Sequence, residues 1–441
     1  MKHAITINTT LLTGLHLLVD GLCACCVFMM APWMQAGTTL ALFVAYNALA
    51  FLTQPLMGLW TDRRKDATLI FKASMTLLTL GACLTILGTT WQQGWLPYLS
   101  VTLIGMGNSM FHVYGGKSVA VHTGNDMRHL GLFVSSGAIG LIVGETYAST
   151  TGLTILCLAM LLLAWFQLRS ALPTPAMPPA TLNSQGNMTT LSSQGGAARH
   201  MCIAMIAFIC LVVFFRALVG KMAPSGPGES ALLIAVLAFA GKSLGGFAGR
   251  RWGVWRTLTL TLLVSGTCLI ASYAQGSLIL PLTLAINLTM PLTLWLANQQ
   301  MPGHEGLSFG LLAAMLPLGV ALGSYCADSA IANALLCTLV ATIVIEALVL
   351  MAMNEKRWQV LAMSMVMNIL TNLPLNILVL SHPNLHESLP HQLLLELAVV
   401  AIETLLYFAV LRHWRQALTY AILCNAISYL CGMLYQVIFT S

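Results

Sequence analysis

The chain has 441 residues, of which 7% are charged and 58% hydrophobic, and its formal net charge is +6. A soluble globule carries roughly 25% charged side chains, so this composition excludes a soluble enzyme or a soluble binding module. The positive balance does not indicate nucleic acid either, because the Lys and Arg residues sit in short loops between apolar runs, where topology signals are found.

In chain order, apolar runs near 20 residues recur, the length that crosses a hydrocarbon core ~30 Å thick. The first, at about 8–30, is interrupted by His16 and Asp20, which predicts a retained span rather than a cleaved signal peptide. Spans follow at about 37–59, 68–90, 95–118, 129–149 and 151–168. Residues 171–200 are rich in Pro, Ser, Gly and Gln without a period and are expected to be a cytoplasmic linker. A second set lies at about 201–222, 229–249, 256–274, 277–298, 305–326 and 329–353, and a third at about 357–380, 388–411 and 415–438. With the N-terminus cytoplasmic, every Lys and Arg except Arg216 and Lys221 falls in an inner loop or at an inner helix end. The reverse orientation inverts that bias, so the positive residues place the N-terminus inside and, after about 15 spans, the C-terminus on the periplasmic or extracellular side.

Two halves are related by repetition. Gly58-Leu-Trp-Thr-Asp62-Arg63-Arg64-Lys65 after the second span has a counterpart in Gly245-Gly-Phe-Ala-Gly249-Arg250-Arg251 after the eighth. Gly131, Gly140 and Gly144 in the fifth span recur as Gly310, Gly319 and Gly323 in the eleventh, and Asn108 recurs as Asn287, all at an interval of 179 residues (319 − 140).

The segment from Gly58 to Lys65 resembles the inner-loop signature of the major facilitator superfamily, with Lys65 in the slot of the second glycine and Asp66 in a basic slot. The span-five glycines resemble that superfamily's antiporter motif, with Glu145 where the motif has proline. Gly107-Asn-Ser-Met-Phe111-His112 is similar to the fourth helix of fosmidomycin-resistance-type drug exporters. The resemblance covers residues 1 to about 355. It implies an all-α integral membrane protein with the 12-helix major facilitator fold, two six-helix bundles about a pseudo-twofold. Three extra C-terminal transmembrane helices then follow. The expected divisions are 1–170, a linker 171–200, 201–355 and an additional membrane unit 356–441.

Ionisable groups at membrane depth cost ~2.5–3.5 kcal/mol on insertion scales and commonly face an internal cavity. His16 and Asp20 are four apart, hence on one helical face, and suit proton coupling; a structural hydrogen-bonded pair is the alternative. His112 is a candidate for a substrate or gating role, whereas Lys117 is expected to snorkel to the interface. Arg216 suits either an anionic substrate group or an outer gate formed with Glu145. Asn47, Gln54, Asn108, Asn287 and Asn298 suit substrate hydrogen bonds or interhelical contacts. Asp62, Arg63, Glu145 and Arg250 are candidate gating residues, the inner-loop ones acting as a charge-assisted latch. In the last three spans, Asn368, Asn372, Asn376, Glu396, Glu403, Asn425 and Ser428 form a polar set that either glues the helices together, relays protons or docks a membrane partner. Most of the twelve cysteines are single residues within apolar spans; Cys23, Cys25 and Cys26, with Met29 and Met30, are a soft-metal hint.

These features predict a secondary active transporter of the cytoplasmic (inner) membrane. It would work by alternating access, coupled to protons and needing no cofactor, on a small amphiphilic or anionic solute, with export favoured. A non-transporting scaffold for partner proteins and a copper transporter are the alternatives. No metalloprotease, serine-hydrolase or Walker motif is present, which argues against an enzyme or an ATP-driven pump.

Overall fold

The computed structural model describes residues 2–64, 66–92, 94–170, 196–222, 230–275, 278–327, 329–355, 357–381 and 389–440. Most of the expected linker, 171–195, therefore lies outside the described residues, as does the side chain of Asn376. The described residues form fifteen long helices and no strand. The first six are α1 (Lys2–Met30), α2 (Ala36–Asp62), α3 (Thr68–Trp91), α4 (Leu96–Thr123), α5 (Met127–Thr146) and α6 (Thr150–Ser170). Then come α7 (Gly196–Met222), α8 (Ala231–Trp252), α9 (Val254–Gln275), α10 (Ile279–Gln300), α11 (Glu305–Cys326) and α12 (Ala330–Ala352). The last are α13 (Trp358–Ser381), α14 (Leu389–Leu411) and α15 (Trp414–Thr440). Eleven of these contain a stretch long and apolar enough to cross a membrane. The chain is a multi-pass membrane protein. Helix α4 is not among the eleven, and the reason is its polar content: Ser100, Asn108, Ser109 and His112 are all buried along it, so it faces protein rather than lipid.

Helix ends follow from local chemistry. Helix α5 begins where the Asp126 side chain accepts from the Arg128 backbone N–H at 2.9 Å, an N-cap. Helix α4 runs past its expected end to Thr123 and stops at Gly124, whose φ of +64° suits glycine. Helix α2 carries a π-turn at Ala48–Leu52, just before Pro55, which has no N–H for the carbonyl four residues back. Helix α10 breaks at Leu288 for the same reason, three residues before Pro291.

The chain forms two compact units, each with its own packing. The first comprises residues 1–220, 227–251 and 286–322. Within it, glycines bring helix backbones into direct contact. A Cβ at Gly140 or Gly144 of α5 would collide with the Leu17 or Gly21 carbonyl of α1. At the equivalent place, a Cβ at Gly319 of α11 would strike the Phe214 carbonyl of α7. Gly131 lies against the Lys242 carbonyl of α8, and its counterpart Gly310 against the Gln54 carbonyl of α2. The repeated glycines of the sequence therefore make repeated contacts, as a pseudo-twofold requires.

The second unit comprises residues 221–226, 252–285 and 323–441. In it α14 and α15 pack together and against α13, and α12 contacts α9, α13 and α15. Its core joins Leu350 of α12, Val360, Leu361 and Met367 of α13, Tyr407 and Leu411 of α14, and Ala417, Tyr420, Ala421 and Cys424 of α15.

Candidate functional site

His16 and Asp20, one turn apart on α1, meet at 3.2 Å (Nε2 to Oδ2) and are buried. The structure adds a third member. His112 of α4 places its Nε2 3.4 Å from the other carboxylate oxygen, Asp20 Oδ1. The two imidazoles meet edge to face with centroids 4.5 Å apart, and His16 stacks on Phe133 at 4.7 Å. Each ring is held from behind by a backbone carbonyl: His16 Nδ1 lies 2.6 Å from Phe133 O, and His112 Nδ1 lies 3.0 Å from Asn108 O. Asn108 donates from Nδ2 to Asp20 Oδ1 at 3.4 Å, to Cys23 Sγ at 3.5 Å and to Tyr46 Oη at 2.9 Å. Helix α5 can approach this closely because Gly137 has no side chain; a Cβ there would fall on Asp20 Oδ2 and 2.8 Å from His16 Nε2.

The carbonyls fix the chemistry. Each Nδ1 faces an acceptor and so carries a hydrogen, which leaves Nε2 without one in a neutral ring. A bare Nε2 facing a carboxylate oxygen sets lone pair against lone pair. A proton on an Nε2 or on the carboxylate would turn such a contact into a hydrogen bond.

At the loop-bearing ends of the helices, Asp62 closes a junction. Its two oxygens accept from the backbone N–H groups of Gly306 (3.0 Å) and Leu307 (2.8 Å), the first turn of α11. Negative charge at a helix N-terminus is favourable. Lys117 of α4 lies 3.2 Å from Asp62 Oδ1 and donates to Thr61 O at 2.9 Å. This corrects the snorkelling expectation: Lys117 turns inward because a buried carboxylate, invisible from local sequence, lies within reach. The pseudo-equivalent junction pairs Gly246 of α8 with Met127 of α5, and there Arg250 Nη1 meets Asp126 Oδ2 at 2.6 Å. Burial pushes the pKa of the Asp126 carboxyl up, but hydrogen bonds from the Arg128 side chain and backbone and the charges of Arg128 and Arg250 outweigh it, holding the carboxyl below its ordinary range. Arg63 is exposed beside the first junction.

The remaining candidates are dispersed. Arg216 is buried on α7, and its Nη1 has no hydrogen-bond partner. Among the described residues Glu145 and Arg216 form no ion pair: Glu145 is exposed, while Arg216 is buried and lines a small cavity with residues of α10 and α11. Asn47 turns back on its own helix, donating to Phe43 O at 2.8 Å, and Gln54 does likewise to Ala50 O. Asn298 bonds Asn125 Oδ1 at 2.9 Å, a tie between α10 and the α4–α5 loop. Asn287 is half-buried at the α10 break. The three clustered thiols diverge: Cys23 points to Ile104 O and Cys25 to Tyr147 O, so they do not converge on one ion.

In the second unit, the C-terminal polar set does assemble. Asn425 Nδ2 and Thr371 Oγ1 donate to the two oxygens of Glu403 at 2.5 and 2.7 Å, and Asn372 donates to Asn368 Oδ1 at 2.7 Å. Asn368 in turn donates at 2.6 Å to Glu346 of α12, a fully buried carboxylate that sequence reasoning passed over as one residue in an apolar run. Glu396 is half-buried one heptad before Glu403. Asp126 was also passed over. Its signal was present, since Asp two residues before Arg at the head of an apolar run is an N-cap pattern.

No protein-family model matches the chain, and no curated protein matches it in sequence. Solved structures do resemble it. A variant of the E. coli fucose:proton symporter FucP is 16% identical with a TM-score of 0.54, covering 75% of this chain and 96% of that one. FucP, a major facilitator superfamily transporter in the outward conformation, gives 16% identity and a TM-score of 0.60, covering 83% of this chain and 99% of that one. At such identities the likeness is one of architecture: this chain has the fold of the major facilitator superfamily.

Proposed function

We propose that the chain is a secondary active transporter that works by alternating access, coupled to protons. It moves a small amphiphilic or anionic solute across the cytoplasmic membrane, with export favoured by the drug-exporter resemblance of the segment around His112. The observation that carries this reading is Asp20 bracketed by the Nε2 atoms of His16 and His112, both rings being fixed by backbone carbonyls. A cluster that stores a proton between α1 and α4 couples to movement when rocking of the helices changes those distances.

The moving bodies in this proposal are 1–170 and 201–355, related by the repeated glycine contacts, with 356–441 as an accessory unit. The positive residues place the N-terminus in the cytoplasm. In this proposal the Asp62 and Asp126 junctions lie on the inner side and act there as the latch that alternating access would release.

Proteoliposomes with an imposed pH gradient test the proposal. Adding a transported solute releases or takes up protons in the wild type, and Asp20→Asn abolishes this while remaining folded. Equal proton movement in both forms for every solute tried would sink the coupling assignment. Absence of any solute flux in folded protein would favour a scaffold role.

A further inference from the structure

We propose that Arg216 receives the oxyanion head of the transported solute, and that Phe309 is the wall through which occupancy of this site reaches the His112–Asp20–His16 cluster. The inference rests on the transport reading above and specifies its substrate as an oxyanion joined to a compact apolar body.

Arg216 is 8% exposed, and among the described residues no carboxylate pairs with it. Its Nη1 is buried without a hydrogen-bond partner. A lone guanidinium at membrane depth is costly unless something compensates it. The guanidinium faces a cavity of about 20 Å³, room for a water in this state, and an anion from outside the chain would reach it as the surrounding helices part.

The cavity walls say what the rest of that anion is like. Met290 and Leu294 of α10 and Phe309 and Leu312 of α11 are apolar. Thr293 is the remaining polar group of the wall, and its hydroxyl donates to backbone carbonyls of its own helix, Thr289 O and Met290 O. A single unsatisfied cation on an apolar wall fits a carboxylate or phosphonate, which a guanidinium can bind through two parallel hydrogen bonds. A sugar would need several polar partners that the wall does not supply.

Phe309 belongs to both sites. It lines the Arg216 cavity, and its ring centroid lies 6.3 Å from that of His112 and 6.1 Å from that of Phe133. Behind it, a Cβ at Gly116 would run into the ring, so α4 leaves it no slack. A solute seated at Arg216 presses on the ring whose other side contacts the histidine cluster.

The experiment uses the full chain in phosphatidylcholine nanodiscs at one fixed pH, with radiolabelled benzoate as probe and benzamide as its neutral isostere. Benzoate is expected to bind saturably and benzamide at least ten-fold more weakly. Arg216→Gln should weaken benzoate about 30-fold, with Arg216→Lys between it and wild type. Gly37→Ala, where nothing lies within 4 Å, is the control and should leave benzoate binding unchanged. Phe309→Ala should lose benzoate-triggered proton release at a benzoate concentration that saturates its own separately measured binding. If Arg216→Gln fails to fold, as judged by its thermal unfolding midpoint, the Arg216→Lys result and the benzoate-to-benzamide ratio decide. Equal binding of benzoate and benzamide, no benzoate binding, or unchanged affinity in the folded arginine variants would overturn the site. Competition by phosphatidylglycerol added to the discs would assign the anion to a lipid headgroup and overturn it as a solute site. Coupled proton release that persists in Phe309→Ala would overturn the role of the ring. Benzoate binding without proton release in the wild type would leave the anion site standing and defeat the coupling proposal instead.

Discussion

Asp62 at the end of α2 accepts hydrogen bonds from the backbone N–H groups of both Gly306 and Leu307, which open α11. One side chain thus satisfies two orphan amides of a helix 244 residues further along the chain. Its pairing with Lys117 ties α4 into the same knot. Replacing Asp62 by Ala removes a cap of ~1 kcal/mol and leaves Lys117 without its partner. We expect the junction to open about ten-fold more often, since ~1.4 kcal/mol is a factor of ten. Maleimide labelling of Ser308→Cys, a fully buried position on α11, reports it: labelling should be slow in that background and about ten-fold faster once Asp62→Ala is added.

Gly137 should tolerate no side chain. A methyl group there would occupy the place of Asp20 Oδ2 and crowd His16 Nε2. Overpacking of this kind typically costs ~1–3 kcal/mol. Gly137→Ala is therefore expected to lower the unfolding midpoint by several degrees and to abolish solute-dependent proton movement. Gly37→Ala, where nothing lies within 4 Å, is the control and should change neither. A Gly137→Ala protein with full proton movement would show that the α1–α5 contact does not shape the cluster.

The Asp126 junction should depend on pH with a definite sign. In the folded chain its carboxyl is held below the ordinary value of 3.8. Its contribution is then complete above 3.8 and is lost as pH falls through the lower folded value. The difference in unfolding midpoint between wild type and Asp126→Asn should be constant from about pH 7 to pH 5 and shrink toward zero near pH 3. Arg250 is 57% exposed in this pair, so Arg250→Gln should cost less than ~1 kcal/mol and the cost should fade in high salt. A difference that grows on acidification would reverse the assignment.

In the second unit, Asn368→Leu should be among the most damaging single changes. It removes the donor to Glu346 Oε2, and Glu346 Oε1 has no partner already. Leaving a buried donor or acceptor unsatisfied costs ~1–3 kcal/mol. The unfolding midpoint of Asn368→Leu should fall by several degrees, and an unchanged midpoint would show that the Asn368–Glu346 contact contributes nothing to this unit.

The sequence carried the helices well, because runs such as 357–380 need only length and apolarity to be recognised, and the structure has Trp358–Ser381 there. The His16–Asp20 pair was legible too, since an interval of four fixes a shared face. His112 was legible as a polar residue in an apolar run, but not as the third member of their cluster: that depends on α1 and α4 meeting at one depth, which no local pattern encodes. Lys117 misled for a related reason. Snorkelling is the cheapest course for a lysine with no partner, and its partner sits on another helix. Glu346 was overlooked because a lone carboxylate in a strongly apolar run leaves the hydropathy almost untouched.

The bond from Asn368 to Glu346 also limits how the protein can be shortened. A version ending at residue 355 would be the obvious minimal design, stripped of a detachable tail. It would instead uncover a carboxylate on α12 and strand Glu355, whose partners Arg357 and Tyr420 would be gone. Membrane quality control would meet that defect before any assay did. The final three helices are thus a lining for the twelfth.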